Sequence, residues 1–267
     1  MKIFTVGTDY NWMGSLVASE KLFDCKVTYI VKDKWEGYYT KIKEMEIELN
    51  KLDDNEIVLF TDAYDTMINS NVDEILDKFK SFNCNVLCSA ELRCHPSYLN
   101  SEMAACFPEE LKNKYLNSGG YMGYVKDIKK IFKWKPLDEI LELCEKGTDQ
   151  GYFMEYFIHN HDKVNMKLDT GAVIFQSLFG VSWQELDIRG GRVYNKVYKQ
   201  HPCILHFNGA AMLCQPNPGE KPADVRWPLL GLIQASKNIP NHIFTMDAHK
   251  QGFFPWVHGI SGPLPQL

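Results

Sequence analysis

Four consecutive apolar residues, Ile57-Val58-Leu59-Phe60, run directly into Thr61-Asp62-Ala63-Tyr64-Asp65. So short and so apolar a run predicts a strand buried on both faces. The chain around it alternates strands with helices. Lys2 to Val6 reads as strand one, about 13–23 as a helix, and Cys25 to Val31 as a second strand. Thr40 to Leu49 spaces Ile42, Met45, Ile47 and Leu49 among lysines and glutamates, the pattern of a surface helix. Another helix opens near Asn71 or Asp73 and runs to about Phe82, with Ile75, Leu76 and Phe79 facing inward. Asn85 to Ala90 is a strand, Leu92 to Leu111 an irregular connection, and Tyr115 to Tyr124 a polar-glycine turn entering a strand. Helical pattern returns over 128–144, interrupted at Pro136, and over 152–158, where Thr148 is a good N-cap. Val164 to Leu168, Ala172 to Gln176 and Cys203 to Phe207 read as short strands. After Gly209 the pattern is broken by Pro216, Pro218 and Pro222, with a short helix around Leu229 to Ala235 and an aromatic, glycine- and proline-rich tail from Gly252. The alternation predicts an α/β fold with a mixed, mostly parallel sheet flanked by helices. Residues 1–214 form its domain, and 215–267 are a C-terminal extension packed on that domain rather than a second one. There is no internal repeat.

Composition narrows the partners. The 267 residues are 45% hydrophobic and 24% charged, values of an ordinary globular chain able to build a core without staples. A formal net charge of -5 gives no electrostatic support for a nucleic-acid partner. No apolar run is long enough to span a membrane, and the first residues lack the features of a signal peptide. A cytoplasmic, reducing location is the default expectation. The eight cysteines contain no Cys-x-x-Cys pair, so they read as buried thiols rather than a zinc site.

The chemistry starts from the central strand. An apolar strand ending in Asp62-Ala63-Tyr64-Asp65 sets two carboxylates at the carboxyl edge of the sheet, where open α/β folds bind ligands. Two such groups repel unless a cation lies between them; the alternative is an Asp-rich turn that caps the next helix. Thr8, at the end of strand one, offers a hydroxyl and a backbone N–H to a nucleotide, or serves as a cap. Trp35 walls a base pocket, or covers the edge of the core. Lys41 lies in the first turn of its helix, and Asp149 at the start of another, where the helix dipole favours it. His206 closes a strand just before Asn208-Gly209, as a metal ligand or as a structural histidine. The dinucleotide fingerprint and the phosphate loop are both absent. A bound nucleotide must therefore have its phosphates neutralised otherwise, and a divalent ion on Asp62, Asp65 and His206 would do so. Oxygen donors with one imidazole suit Mn²⁺ better than Ca²⁺.

Phe60-Thr61-Asp62-Ala63-Tyr64-Asp65, Ser89-Ala90-Glu91, Leu116-Asn117-Ser118-Gly119-Gly120-Tyr121-Met122-Gly123, Asp149-Gln150, Leu168-Asp169, Ile174-Phe175-Gln176 and His206-Phe207-Asn208-Gly209 stand in this order along the chain. The series resembles the glycosyltransferase domain of procollagen lysyl hydroxylases, and Trp35-Glu36-Gly37 is similar to that domain's Trp-Arg-Gly. The resemblance runs from the first strand to about Trp227 and looks like a stand-alone version. It implies a GT-A, Rossmann-like fold. It also implies a Mn²⁺-dependent, retaining transfer of glucose from UDP-glucose to galactosyl-hydroxylysine of collagen or a collagen-like protein. By position, Asp62, Asp65 and His206 would hold the metal. Tyr64 and Trp35 would flank the uracil, Thr8 and Lys41 would approach the nucleotide, and Gly209 would pass close to the diphosphate. Glu91, Asn117 and Asp149 would line the sugar and acceptor side as the catalytic set. Alternatives are a galactosyltransferase acting on hydroxylysine and a catalytically silent UDP-binding module; a homo-oligomer is left open.

The chain departs from the family pattern in three places. Ala210-Ala211-Met212 stands where the family has Pro-Thr-Lys, so the lysine expected on the diphosphate is missing. Gly147-Thr148 replaces an acidic run before Asp149, and Cys94-His95-Pro96-Ser97-Tyr98 replaces a tryptophan-containing acceptor loop.

Overall fold

A computed structural model describes residues 1–209, 213–214, 223–224 and 226–237. The chain opens with β1 (Lys2–Gly7), α1 (Gly14–Phe23), β2 (Val27–Val31), α2 (Tyr39–Leu49), β3 (Ile57–Thr61), β4 (Thr66–Ile68), α3 (Val72–Ser81) and β5 (Val86–Glu91). It continues through α4 (Asn100–Ala105), β6 (Tyr115–Tyr124), α5 (Val125–Phe132), α6 (Leu137–Val164), β7 (Met166–Asp169) and β8 (Phe175–Ser177). The hairpin β9 (Leu186–Arg189) and β10 (Arg192–Asn195) follows, then β11 (Ile204–His206), β12 (Leu213–Cys214), β13 (Ala223–Asp224) and α7 (Arg226–Ser236).

The main sheet has the order β2-β1-β3-β6-β5-β7. All strands run the same way except β6, which is antiparallel to both of its neighbours. The strands carry apolar side chains on both faces because helices cover both. Phe4, Val6, Val58 and Phe60 point to the layer built on α2, α5 and α6, whereas Ile3 and Leu59 point to the layer that includes α1, α3 and α7. Leu229, Leu230 and Ile233 of α7 are buried in that second layer.

Several expectations are corrected. The Tyr115–Tyr124 segment is not a turn entering a strand but one ten-residue strand in the interior of the sheet. Its ladder with β5 shifts, so that Cys88 faces Tyr121 and Ser89 faces Asn117. Ser118, Gly119 and Gly120 are left out of that ladder as a bulge. The connection over 92–111 contains a short 3-10 turn and α4. Ile47 is exposed, since Ile42, Met45 and Leu49 already occupy the i, i+3, i+7 positions of the buried face. The short strand β4 and the β9–β10 hairpin went unseen. β4 has only three residues, and the hairpin turns on Gly190-Gly191 between strands of only four residues each.

Candidate active site

Three pairings bring distant parts of the chain together at the carboxyl edge. β3 pairs with β6 so that Thr61 faces Gly120, and the Asp62 N–H donates to the Gly119 carbonyl at 2.9 Å. The chain then turns through Ala63-Tyr64-Asp65 into β4. β4 pairs with β11 so that Thr66 faces His206, and the Phe207 N–H donates to the Asp65 carbonyl at 2.7 Å. Thr66 and His206, 140 positions apart in sequence, thus become neighbours because one register fixes them.

The side chains converge accordingly. His206 Nε2 lies 3.2 Å from Asp65 Oδ2 and 3.6 Å from Asp62 Oδ2. One ligand atom from each of the three residues falls within 4.8 Å of the others. The other imidazole nitrogen, Nδ1, is 2.9 Å from Asn117 Oδ1, an acceptor for its proton, so Nε2 is the nitrogen turned to the carboxylates. That is how an imidazole ligand is usually oriented by its outer partner. Gly119 makes the approach possible: a Cβ there would lie 2.1 Å from His206 Cε1 and 2.8 Å from Asp62 Oδ2. The glycine admits side chains rather than a ligand.

Asp62 is divided between two neighbours. Its Oδ2 faces His206, while Oδ1 is 2.6 Å from Lys41 Nζ. This second contact is an ion pair; the buried Oδ1 accepts no well-angled hydrogen bond. Two carboxylates and one imidazole whose ligand atoms converge this closely fit a divalent cation. Burial raises the carboxyl pKa of Asp65, but His206 overrides it and holds the group below its ordinary value. Burial likewise disfavours His206 charge, and Asp65 reverses this to raise the imidazole.

Lys41 extends the site. Its Nζ also reaches Asp149 Oδ2 at 3.4 Å. Burial disfavours the ammonium, but Asp149 and Asp62 more than offset that and keep it protonated. Asp149 itself is buried, which raises its pKa, and Lys41 opposes the rise. It sits where α6 breaks: Gly147 and Thr148 leave helical geometry, and the Thr148 hydroxyl accepts from the Gln150 N–H at 3.2 Å, the predicted cap. The loop from Cys94 to Tyr98 closes on this break. A Cβ at Gly147 would lie 2.7 Å from Pro96 and 3.0 Å from the Tyr98 hydroxyl oxygen.

Glu91 is engaged from three sides. Its Oε1 accepts from Asn117 Nδ2 at 3.1 Å and Gln150 Nε2 at 2.8 Å, and its Oε2 from Asn208 Nδ2 at 2.8 Å. Burial raises its pKa despite these donors. This carboxylate ties β6, α6 and the segment after β11 together, and through Asn117 it steadies His206. Gln150 and Asn208 were legible as motif residues, but only the fold shows that they clamp Glu91. Asp169 is scaffold too, accepting from the N–H groups of Val173, Ile174 and Phe175 at 2.9, 2.6 and 2.7 Å.

The remaining expected residues lie around this centre. The Tyr64 hydroxyl accepts from the Thr8 and Asp9 N–H groups at 2.5 and 3.1 Å and lies 3.0 Å from the Thr8 hydroxyl. Thr8 and Tyr64 are therefore brought together. Trp35 is half exposed and packs edge-on to Tyr38 at 6.4 Å; among the described residues no hydrogen bond or ring contact joins it to Tyr64. Gly209 has φ +61° and its Cβ position faces the Phe179 ring. Met212, where a lysine was expected, lies outside the described residues.

A model of the family described as the PLOD GT domain matches residues 3–215. The chain belongs to this family. It is 28% identical over 256 residues to procollagen-lysine,2-oxoglutarate 5-dioxygenase of Drosophila melanogaster, covering 81% of this chain and 34% of that protein. It is 32% identical over 214 residues to uncharacterized protein R699 of Acanthamoeba polyphaga mimivirus, covering 79% of this chain and 41% of that one. The chain thus spans between about a third and two-fifths of these curated relatives. Among solved structures, the bifunctional glycosyltransferase WbbM matches at TM-score 0.51 and 12% identity, over 94% of this chain and 51% of that one. The fold is that of the GT-A glycosyltransferases.

Proposed function

We propose that this PLOD-family chain is a Mn²⁺-dependent, retaining glucosyltransferase that moves glucose from UDP-glucose to galactosyl-hydroxylysine of collagen or a collagen-like protein. One observation carries the reading: Lys41 bridges Asp62, in the metal-fitting trio, to the buried Asp149, so a donor site and a sugar-facing carboxylate form one charged centre. Asp62, Asp65 and His206 would hold the ion, which supplies charge to the diphosphate as it leaves. Tyr64, Thr8 and Trp35 bind the nucleoside in this reading, and Gly209 passes the diphosphate. Asp149 accepts a hydrogen bond from a sugar hydroxyl and stabilises positive charge developing at the anomeric carbon. The bond from that carbon to the diphosphate breaks, the acceptor oxygen bonds on the same face, and the acceptor's proton passes to the departing phosphate oxygen. Glu91 and Asn117 act on the sugar side by fixing this geometry.

Turnover with UDP-glucose and UDP-galactose, each offered galactosyl-hydroxylysine and hydroxylysine peptides, tests the proposal. Mn²⁺-dependent UDP release only with UDP-glucose and the galactosylated peptide is the expected result. Preference for UDP-galactose and bare hydroxylysine would replace it with the galactosyltransferase reading, and release from no donor with the silent module. Asp149→Asn should retain UDP binding and lose transfer; full transfer by that variant would remove the role given to Asp149.

A further inference from the structure

The charge around the donor site leaves a deficit. Asp62, Asp65 and Asp149 are three carboxylates, and Lys41 is held between two of them. Lys41 and one divalent ion together balance those carboxylates and leave no positive charge for a nucleoside diphosphate. A diphosphate buried at this edge requires a further cation.

One is present on an element that the sequence motifs did not include. Arg226 is the first residue of α7, beyond residues 3–215 that the family model covers. Its Nη1 donates to the Tyr64 carbonyl, inside the turn between Asp62 and Asp65. The same nitrogen lies 3.3 Å from Ser15 Oγ in the first turn of α1. Ser15 in turn donates to the Thr66 carbonyl at 3.2 Å, so Arg226 is tied to the backbone on either side of Asp65. The N-terminal end of α1 adds the positive end of its dipole at the same place. A guanidinium stays protonated at every working pH and matches phosphate oxygens in geometry.

We propose that Arg226 is a diphosphate-binding cation of the donor site, supplied by α7 from outside the family-matched segment. The proposal rests on the donor-site reading above and adds a residue to it. It makes α7 part of the binding machinery rather than only a cover for the second core layer.

Calorimetric titration of the full chain with UDP and with uridine, in the presence of Mn²⁺, tests it. The comparison uses the wild type, Arg226→Lys and Arg226→Gln, and each variant is also titrated with Mn²⁺ alone and melted. Glutamine can still donate to the Tyr64 carbonyl but carries no charge. Arg226→Gln should weaken UDP roughly tenfold or more, as for a lost charge-assisted bond, with uridine within about twofold. Arg226→Lys should recover part of the loss, and Mn²⁺ alone should bind no more weakly, since a repelling charge has been removed. Equal losses for UDP and uridine, weaker Mn²⁺ binding in step with a lower melting temperature, or unchanged UDP affinity would each overturn the proposal. A wild type that binds neither UDP nor uridine would instead remove the donor-site reading beneath it.

Discussion

Gly119→Ala is the sharpest test of the site's geometry, because it adds one methyl group and removes no ligand. The new Cβ would lie 2.1 Å from His206 Cε1, 2.7 Å from Nδ1 and 2.8 Å from Asp62 Oδ2. Unstrained carbon–carbon contact needs about 3.5–4.0 Å, so the imidazole must retreat by about 1.5 Å. It cannot do so in place. Nδ1 is bound to Asn117 at 2.9 Å, and Asn117 also accepts from the Gly119 N–H at 3.0 Å and donates to Glu91. Moving the ring breaks the Asn117 bond and carries Nε2 away from Asp65. Overpacking of this kind costs about 1–3 kcal/mol, which for a chain of this size lowers the melting temperature by roughly 2–10 °C. Loss of the partner that orients a histidine ligand weakens metal about 10- to 100-fold, and displacement of the ligand itself puts the expectation at the upper end. Titration with Mn²⁺, followed by the loss of the free-ion electron paramagnetic resonance signal, measures the affinity directly. Gly171→Ala is the control: its Cβ would meet only Val173 at 3.6 Å, so stability should stay within about 0.5 kcal/mol and Mn²⁺ affinity should not change. If Gly119→Ala binds Mn²⁺ as the wild type does and melts at the same temperature, His206 does not stand against Gly119 and the metal-fitting trio is wrong.

Glu91→Gln places an amide among three amide donors, so one buried donor must lose its partner; a destabilisation of about 1–3 kcal/mol by urea unfolding is expected, with weaker Mn²⁺ binding through Asn117. Gly231→Ala, on the exposed side of α7 with nothing within 4 Å of the new methyl, should stabilise by about 0.5–1 kcal/mol in the same assay, and destabilisation would contradict the helix. Burial raises the Glu74 carboxyl pKa, but its two-pronged pair with Arg192, at 2.6 and 2.9 Å, together with Lys78 and Ser70 brings it down to about 2. A depressed carboxyl stabilises above its unfolded pKa and loses that contribution as pH falls from about 4.5 through about 2. With 30% of the side chain exposed, solvent screening reduces the contribution to about 1–2 kcal/mol. Glu74→Gln should therefore lower stability at pH 7 and flatten its decline over that acid window; an unchanged acid profile would refute the pairing.

Local patterns carried most of the secondary structure and the identity of the ligating residues. Ile57 to Phe60 is apolar throughout because helices cover both faces of the sheet, and that continuity is visible in one dimension. The Asp-x-x-Asp turn was legible because strand end and carboxylates are adjacent in sequence, and Thr148 because a cap acts within two residues. A residue's partner across the fold is not a local property. Nothing near His206 indicates that Thr66 will face it; the β4–β11 register decides this, and β4 is too short to leave a periodic signal. Glu91 reads as a sugar-facing carboxylate until three amides from three elements are found on it. Gly119 reads as room for a ligand until His206 is found in that room. Arg226 lies beyond the motif series altogether and reaches Tyr64 only because α7 packs beside α1. Sequence determined which chemical groups this protein brings to the sheet edge; long-range strand pairing and helix packing decided which of them touch, because close contact between groups many residues apart exists only once the chain is folded.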